Sequence, residues 1–410
     1  MDELTSASFE SANSAVTLAI GLIGAMALWL GIMKIAETAG LLKVIARAIR
    51  PLMVRLFPDV PAEHPAMSAI IMNMAANMLG LGNAATPMGI KAMTELDKLN
   101  PQKDTASNAM CLFLAINTSS VTILPLGVIS VRAAAGATTP ASILLPAIMA
   151  TFCSTLTAVV VSKLLSKRSP NPAQISDSLK NKDNFEEMLK EEKKESDLTP
   201  PGLVGKIFAY CTIGVFALSV PFLIRQSGQL PTFNLDLITS ATGWLVPIIM
   251  GGLLILGYLK GVKIYEVLTN GAKEGFQVAI RIIPFMVAIF VAIGMFRASG
   301  ALELFTRTLR PLTRLVGMPA EVLPMALIRP LSGTGAFGYM AEIVNNAPDS
   351  FSAFFSSIAQ GSTETTFYVL AVYFGSIGIR KTRHALPAAL TADAVGIASA
   401  LFFAHLFFRI

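Results

Sequence analysis

Long apolar runs separated by short polar segments dominate the chain and predict a series of membrane-spanning helices. Six of these runs are uninterrupted, and they cover residues 15–36, 140–165, 203–224, 237–259, 276–296 and 385–408. Each reaches the roughly 20 apolar residues that an α-helix needs to cross the hydrocarbon core of a bilayer. We therefore predict an all-α polytopic membrane protein.

Four further apolar runs contain glycine, proline or polar residues near their centres. These runs cover residues 65–93, 106–131, 319–344 and 351–379. Irregular backbone is tolerated at membrane depth only where protein or a water-filled cavity satisfies its polar groups. The first and third runs are predicted to be re-entrant helical hairpins. The second and fourth are predicted to be broken transmembrane helices.

The same order of segments occurs twice along the chain. A basic amphipathic stretch follows the first span in each copy, and Arg50-Pro51-Leu52 in one matches Arg310-Pro311-Leu312 in the other. Further on, residues 117–122 align with residues 361–366. Both basic stretches are predicted to be helices on the membrane surface, the first interrupted at Pro51. Matches in a constant order indicate an internal duplication.

Counting the crossings predicts that the two copies are inverted. Residues 1–165 form the first repeat, residues 166–200 a charged linker, and residues 201–410 two extra spans followed by the second repeat. Three crossings in the first repeat and two extra spans place the second repeat's start on the opposite side of the membrane. Inverted repeats with broken helices are the sequence signature of secondary transporters.

Composition supports the membrane assignment and indicates the orientation. The chain is 53% hydrophobic and 14% charged, whereas soluble domains carry about 25% charged residues. The net charge of +6 fits basic cytoplasmic loops better than nucleic-acid binding. Lys163, Lys167 and Arg168 before the linker and Lys206 after it predict a cytoplasmic linker and an external N-terminus.

The polar stretch 360–366, inside the last broken helix, is the strongest candidate for a functional site. Its carboxylate, Glu364, costs roughly 3 kcal/mol at the centre of a membrane helix, so it is expected to face a cavity or a partner. Glu364 is predicted to bind substrate, bind a coupling cation, carry a proton or pair with Arg329. Asp393 in the final span is a further candidate for ion or proton coupling. A helix-packing motif of small residues is the alternative reading of the stretch.

Other kinds of chemistry are less well supported by the sequence. The three cysteines lack CxxC spacing and the three histidines are scattered, so neither a metal site nor a cofactor is expected. Ser332 could resemble a hydrolase nucleophile, but no histidine lies inside a core segment to act as its base, so we expect no enzyme. A membrane scaffold or regulator that docks through the linker stays open as the alternative to transport.

Three motifs carry a resemblance to a known family. The stretch MNMAANMLGLGNAATPMGIKAM resembles spore maturation protein A, and the stretches IRPLSGTGAFGYMAEI and QGSTETTFYVLAVYFGSIGIRKTRHAL resemble spore maturation protein B. The chain thus resembles a fusion of the two, which are members of the nucleoside-recognition, or Gate, domain family. More distantly, that family is similar to concentrative nucleoside transporters.

The resemblance implies a transporter-like core in the inner, or plasma, membrane of a bacterium. Its partners would be the lipid bilayer, a small polar or anionic solute, a coupling ion or proton and, as an open alternative, further copies of the chain. Polar residues at the hairpin tips and broken helices would bind the solute. Arg329 is included in this set because it is predicted to pair with Glu364. The predicted binding residues are Asn77, Asn83, Thr86, Asn117, Thr118, Ser119, Arg329, Ser332, Thr334, Gln360, Ser362, Thr363 and Glu364.

Overall fold

The computed structural model describes residues 2–80, 82–119, 122–167, 198, 200–203, 205–207, 209, 211, 214 and 235–408. Within those residues the chain folds into helices and loops, with one isolated β-bridge between Thr105 and Lys381. Most of the predicted linker and most of the predicted span 203–224 lie outside the described residues. The predicted all-α class is confirmed.

The first repeat consists of seven α-helices and one short 3-10 helix, Pro140–Ile143. The α-helices are α1 (Asp2–Thr38), α2 (Leu41–Leu56), α3 (Pro65–Met78), α4 (Gly82–Lys98), α5 (Asn108–Thr118), α6 (Leu126–Ala134) and α7 (Leu144–Ser166). Helices α3 and α4 form the predicted hairpin, and α5 and α6 are the halves of the predicted broken helix.

The second repeat follows the helix α8 (Leu235–Lys260) and has the same order of elements. Its helices are α9 (Ile264–Ala298), α10 (Ala301–Leu315), α11 (Leu323–Ile328), α12 (Gly333–Asn346), α13 (Phe351–Ser362), α14 (Thr366–Gly375) and α15 (Ala385–Phe407). Helices α11 and α12 form the second hairpin, and α13 and α14 are the halves of the second broken helix.

Several helices in the described part of the chain meet the requirements for crossing a bilayer. Three are long and apolar enough, over Leu4–Thr38, Pro140–Ser166 and Ala385–Phe407. A fourth is added if Met286–Ala298 and Ala301–Pro311, which are bent by 79° relative to each other, count as one span. Together with the broken helices and hairpins, they make the protein an all-α polytopic membrane protein.

The two amphipathic surface helices begin in the same way, and one prediction about them is wrong. A glycine in the left-handed conformation precedes each, Gly40 with φ 86° and Gly300 with φ 74°, because the chain turns there in a way that glycine tolerates best. The expected interruption at Pro51 does not occur, since α2 continues through it to Leu56. A proline removes a single backbone hydrogen bond from a helix. The part of α2 beyond the proline stays packed on the protein because Met53 is buried there.

Contacts between the two first helices establish the inverted arrangement of the repeats. Gly31 of α1 lies against Leu268 of α9, whereas Gly275 of α9 lies against Ala27 and Gly294 against Ser11. Residue numbers thus rise along one helix as they fall along the other, so α1 and α9 are antiparallel. Glycines on the facing sides allow this close approach. Because α1 and α9 are equivalent helices, the repeats are inverted, as the crossing count predicts.

The last helices of the two repeats, α7 and α15, pack together in the same antiparallel way. The hydroxyl of Ser154 donates a hydrogen bond of 2.9 Å to the carbonyl of Ala392 and lies next to Gly396. One turn further along α7, Ala158 packs in a small cluster with Ala388 and Ala392 of α15. Both broken helices pack against this pair of helices.

Candidate functional site

The two broken helices place irregular backbone near the middle of the membrane. Helix α5 has 11 residues and α13 has 12, which corresponds to about 16–18 Å each at 1.5 Å per residue. That length is about half of a 30 Å hydrocarbon core. The unwound residues that the structure describes after these helices, 119 and 122–125 in the first repeat and 363–365 in the second, are therefore expected near the midplane.

The two unwound segments meet each other directly. The backbone N–H of Glu364 donates a hydrogen bond of 3.0 Å to the carbonyl of Thr118 at the end of α5. On the same side, Gly361 lies against Pro125. We call this junction the crossing. It joins the repeats at the point where both transmembrane helices are interrupted.

Each unwound segment is also attached to the tip of the hairpin in its own repeat. The N–H of Ile123 donates to the carbonyl of Met78, 3.1 Å away, and the N–H of Phe367 donates to the carbonyl of Pro330, 3.0 Å away. Ile123 and Phe367 occupy equivalent positions in the alignment of the two repeats. The internal symmetry that the sequence predicts thus extends to individual backbone hydrogen bonds.

Arg329 holds the second unwound segment in place. Its Nη1 donates to the hydroxyl of Thr365 over 3.0 Å, and its Nη2 donates to the backbone carbonyls of Gln360, at 3.3 Å, and of Thr363. The residue is only 3% exposed. The carbonyls at the C-terminal end of a helix lack partners within the helix, and the guanidinium supplies donors to those of α13.

Glu364 is the exposed charged group of the crossing. Its Oε2 lies 3.8 Å from Nη2 of Arg329, and its side chain is 48% exposed whereas that of Arg329 is 4% exposed. The predicted pair is thus present, as a contact longer than a hydrogen bond. The carboxylate keeps lone pairs that no described residue occupies at hydrogen-bond distance in this contact.

Asp393 lies beside the same segment, on α15. It is 2% exposed, and its Oδ2 accepts a hydrogen bond of 2.6 Å from the hydroxyl of Thr366, the first residue of α14. Its Oδ1 is buried and has no partner among the described residues. Arg329 and Glu364 are both close enough to interact electrostatically with this carboxyl group. The second repeat therefore gathers one guanidinium and two carboxyls around residues 363–366.

A neutral polar cluster connects the first repeat to α14. The amide of Asn77 donates to Oδ1 of Asn117 over 2.8 Å, and the hydroxyl of Tyr373 donates to the same oxygen over 3.3 Å. The amide of Asn73 donates to the hydroxyl of Tyr373 over 3.2 Å and to the carbonyl of Ala85 over 2.7 Å. We call Asn73, Asn77, Asn117 and Tyr373 the amide cluster.

Two members of the amide cluster, Asn73 and Tyr373, are absent from the residues that the sequence predicts. Asn73 precedes Asn77 by one helical turn, so the spacing places both amides on one face of α3. That signal was available in the sequence. Tyr373 offers no such signal, because its position follows from the packing of α14 on α5, where its ring stacks on Phe113 with centroids 5.7 Å apart.

Several predicted hydroxyls turn back onto their own helices. Those of Thr118, Ser119, Ser362 and Thr363 each donate to a backbone carbonyl three or four residues earlier. The hydroxyl of Ser119 can also accept a hydrogen bond from the hydroxyl of Thr155, 3.0 Å away. In this arrangement the four hydroxyls supply hydrogen-bond donors to backbone carbonyls near the ends of α5 and α13.

The remaining predicted residues lie around the hairpin tips, except Gln360, which lies on α13. The hydroxyl of Ser332 accepts a hydrogen bond from the N–H of Gly335 and caps α12, while Thr334 is exposed. Thr86 is half-buried. Gln360 is half-buried too, and its Oε1 has no partner among the described residues. The side chain of Asn83 lies outside the described part of the structure.

Comparison with known proteins assigns the chain to a family. The family model described as Gate, nucleoside recognition, matches residues 19–135 and 279–380, which together make up more than half of the chain. The chain belongs to the Gate family. The two matched segments run from within α1 to just past α6 and from within α9 to just past α14. They contain both hairpins and both broken helices of this Gate protein.

Two separate proteins of Bacillus subtilis strain 168 are similar to this Gate protein. The chain is 46% identical to spore maturation protein A over 163 residues, which cover 40% of the chain and 83% of that protein. It is 46% identical to spore maturation protein B over 165 residues, which cover 40% of the chain and 93% of that protein. The resemblance found in the sequence motifs is confirmed, and neither relative is named for an enzymatic reaction. No solved structure matches the chain.

Proposed function

We propose that the protein is a membrane transporter that moves a small polar solute through the crossing of its two unwound segments. The observation that carries the proposal is the hydrogen bond between the N–H of Glu364 and the carbonyl of Thr118, which joins the interrupted helices of inverted repeats. Sites of this construction, at the interface of inverted repeats, are typical of secondary transporters. The sequence allows a polar or an anionic solute.

The arrangement around the crossing supports alternating access. Among the described residues, one backbone hydrogen bond joins the second unwound segment to the end of α5. One more attaches each broken helix to the hairpin tip of its own repeat, through Ile123 and Phe367. A hairpin can thus move together with the segment attached to it while the bond across the crossing breaks. Because the repeats are inverted, the same movement in either repeat opens the site to opposite sides of the membrane.

The polar groups near the crossing suit a solute with several hydrogen-bonding positions. The amide cluster presents donors and acceptors on side chains, and Thr334 and Glu364 are exposed beside the second hairpin. The Gate family is described by nucleoside recognition, which makes nucleosides the first neutral compounds to test. Asp393, whose Oδ1 has no partner among the described residues, is the group we propose for proton or cation coupling.

Ligand-dependent thermal stability of the purified protein tests this function. Nucleosides, dicarboxylates and simple cations are added to the wild type, to Glu364→Gln and to Glu63→Gln, a control whose carboxylate pairs with Arg50 on the surface. A ligand at a hundredfold excess over its Kd stabilises the folded state by about 2.7 kcal/mol. We expect one class of ligand to stabilise the wild type and Glu63→Gln but not Glu364→Gln.

The alternative function predicts a different result. A scaffold or regulator that docks through the linker gives no ligand-dependent shift for any compound, tolerates Glu364→Gln in cells and fails when residues 166–200 are deleted. That outcome would replace the transport proposal. A ligand shift that persists in Glu364→Gln keeps transport but moves the site away from the crossing.

We also propose that the protein lies in a bacterial inner membrane with its linker in the cytoplasm and its N-terminus outside. Lys163 and Lys167 end α7 on the side where α15 begins, and Lys381 and Arg383 contact the start of α5 there. Clustered basic residues favour the cytoplasmic side. The first turns of α1 lie at the other end, where Ser6 shares a cleft with Ala134 and Asn345.

Thiol labelling in intact cells tests this orientation. In a background without Cys111, Cys153 and Cys211, the variants Ser6→Cys and Lys381→Cys are exposed to a membrane-impermeant thiol reagent. We expect the thiol at position 6 to react in intact cells and the thiol at position 381 to react only after permeabilisation. The reverse pattern would invert the assignment.

A further inference from the structure

We infer that the crossing binds a small cation rather than an anion, through the exposed carboxylate of Glu364. This inference rests on the proposed function and names the substrate class of the same site. Some charged groups around the crossing already bind other groups of the protein, whereas others are accessible to a solute. This difference indicates the charge of the solute.

The positive charge of the crossing is not available to a solute. Arg329 is only 3% exposed, and both its terminal nitrogens donate to groups of the protein, namely the hydroxyl of Thr365 and the carbonyls of Gln360 and Thr363. An anion that replaced these contacts would leave the carbonyls of α13 without donors, and a buried polar group without a partner is costly. Arg329 therefore acts as a fixed part of the backbone junction.

The helix N-termini near the crossing are occupied as well. Such ends attract anions because their first N–H groups lack partners and the helix dipole is positive there. At α12 the hydroxyl of Ser332 accepts from the N–H of Gly335 at 3.0 Å. At α14 the N–H of Phe367, in the first turn, donates to the carbonyl of Pro330 over 3.0 Å. Protein groups thus take the places that an anionic solute would need.

The negative charge, in contrast, is accessible. The side chain of Glu364 is 48% exposed, and its distance of 3.8 Å from Arg329 is too long for a hydrogen bond. A carboxylate offers about four lone-pair positions. Glu364 can therefore accept hydrogen bonds from a solute without giving up a strong contact within the protein.

An exposed carboxylate suits an organic ammonium or amidinium group, because such a cation can donate charge-assisted hydrogen bonds to its oxygens. The same carboxylate repels an anion.

The rates of charged thiol reagents at the hairpin tip test this inference without a known ligand. Thr334 is exposed, and its neighbour Gly333 lies against Thr365 in the unwound segment. In the cysteine-free background, Thr334→Cys is treated with a cationic and with an anionic methanethiosulfonate of similar size. The same rates are measured after adding Glu364→Gln. Leu315→Cys, at an 83% exposed position at the end of α10, is the control.

We expect the ratio of the cationic rate to the anionic rate at position 334 to fall about fivefold when Glu364→Gln is added, the size expected for one charge several ångströms away in a watery site. The ratio at position 315 should not change. A ratio at position 334 that does not respond to Glu364→Gln would overturn the inference and leave the proposed function in place. Leu331→Cys, 63% exposed at the same tip, replaces Thr334→Cys if that variant does not fold.

Two further outcomes separate the inference from the proposed function. If neither position 331 nor position 334 reacts with either reagent, no path to the crossing exists and both proposals are wrong. In another outcome the two positions react, dicarboxylates stabilise the wild type but not Glu364→Gln, and putrescine and tetramethylammonium stabilise neither. The site would then bind an anion, so the inference would be wrong and the proposed function would stand. Stabilisation by either cation, lost in Glu364→Gln, supports the inference.

Discussion

At the scale of single residues, Arg329 and Glu364 differ in what they contribute although they form a pair. Arg329 is buried and donates to two oxygens of the second unwound segment and to one carbonyl near the end of α13, whereas Glu364 is half exposed and lies 3.8 Å away. Ion pairs that are open to solvent contribute little to stability. The hydrogen bonds from a buried guanidinium to helix carbonyls contribute more, because carbonyls left without donors carry their full desolvation cost.

Replacement of the two residues should therefore affect stability very differently. We expect Arg329→Met to lower the free energy of unfolding by about 3 kcal/mol, since it removes the donors to Gln360, Thr363 and Thr365. Arg329→Lys should recover part of that loss, because a lysine keeps the charge but not the fork of donors. Glu364→Gln should change stability by about 1 kcal/mol or less. Unfolding of the purified protein in detergent measures all three.

Two outcomes for these variants would contradict the expected difference in stability. Equal losses for Arg329→Met and Glu364→Gln would mean that the ion pair, and not the backbone bonds, holds the segment. A stable Arg329→Met variant would mean that the carbonyls of α13 find other donors. Glu63→Gln serves as the control for loss of a surface carboxylate, since its partner Arg50 lies 2.9 Å away at an exposed position.

The sequence predicts the residues of the site better than their partners. Glu364, Arg329 and Asn117 are recognisable because polar groups are costly inside apolar runs. What the sequence does not reveal is the direction in which each group points. The hydroxyls of Ser362 and Thr363 turn to their own helix, and this follows from local backbone geometry that no spacing rule specifies. Tyr373 is part of the amide cluster only through the packing of α14 on α5.

At the scale of elements, breaks are predicted correctly where polar residues, glycine or both cluster inside an apolar run. The unwound segments after α5 and α13 and the tips of both hairpins are all of this kind. Proline alone is a weaker signal, because Pro51, Pro284 and Pro311 lie within continuous helices. A helix that packs on both sides of a proline loses one hydrogen bond and keeps its buried contacts.

The lengths of the elements were predicted less well than their order. The first span is predicted at residues 15–36, but α1 extends over Asp2–Thr38. The fifth is predicted at 276–296, but α9 extends over Ile264–Ala298. Hydropathy reports only the part of a helix in the bilayer. The polar ends of α1 and α9 are helical as well, and the two helices pack against each other along their length through glycines such as Gly275 and Gly294.

At the scale of the whole molecule, equivalent loops join the two repeats at opposite ends. At one end the N–H and the hydroxyl of Thr138, after α6, donate to the carboxylate of Asp349, before α13. At the other end the N–H groups of Arg380 and Lys381, after α14, donate to the carbonyl of Asp104, before α5, at 2.9 Å. Each repeat thus holds the start of the other's broken helix, which follows from the inverted symmetry.

The contact through Asp349 makes the protein less stable as the pH falls. Hydrogen bonds from Thr138 lower the pKa of Asp349 from its ordinary value. A carboxyl whose pKa is lower in the folded state stabilises the protein when ionised. Its contribution is present above the unfolded-state pKa of about 3.9 and is lost as the pH falls through the folded-state pKa. The wild type should therefore lose this contribution on acidification below about pH 5.

Asp349→Asn removes the ionisable group and should change the pH profile accordingly. We expect the variant to unfold at a lower temperature than the wild type at pH 7. The difference should shrink as the pH falls below the unfolded-state pKa of about 3.9 and through the lower folded-state pKa, because the wild-type side chain then becomes uncharged too. Thr138→Val should produce a similar loss at pH 7, and the double variant should lose less than the sum, because the two residues share one interaction. A difference between the wild type and Asp349→Asn that stays constant until the folded-state carboxyl is protonated would show that the ionised carboxylate is not what joins the repeats at this end.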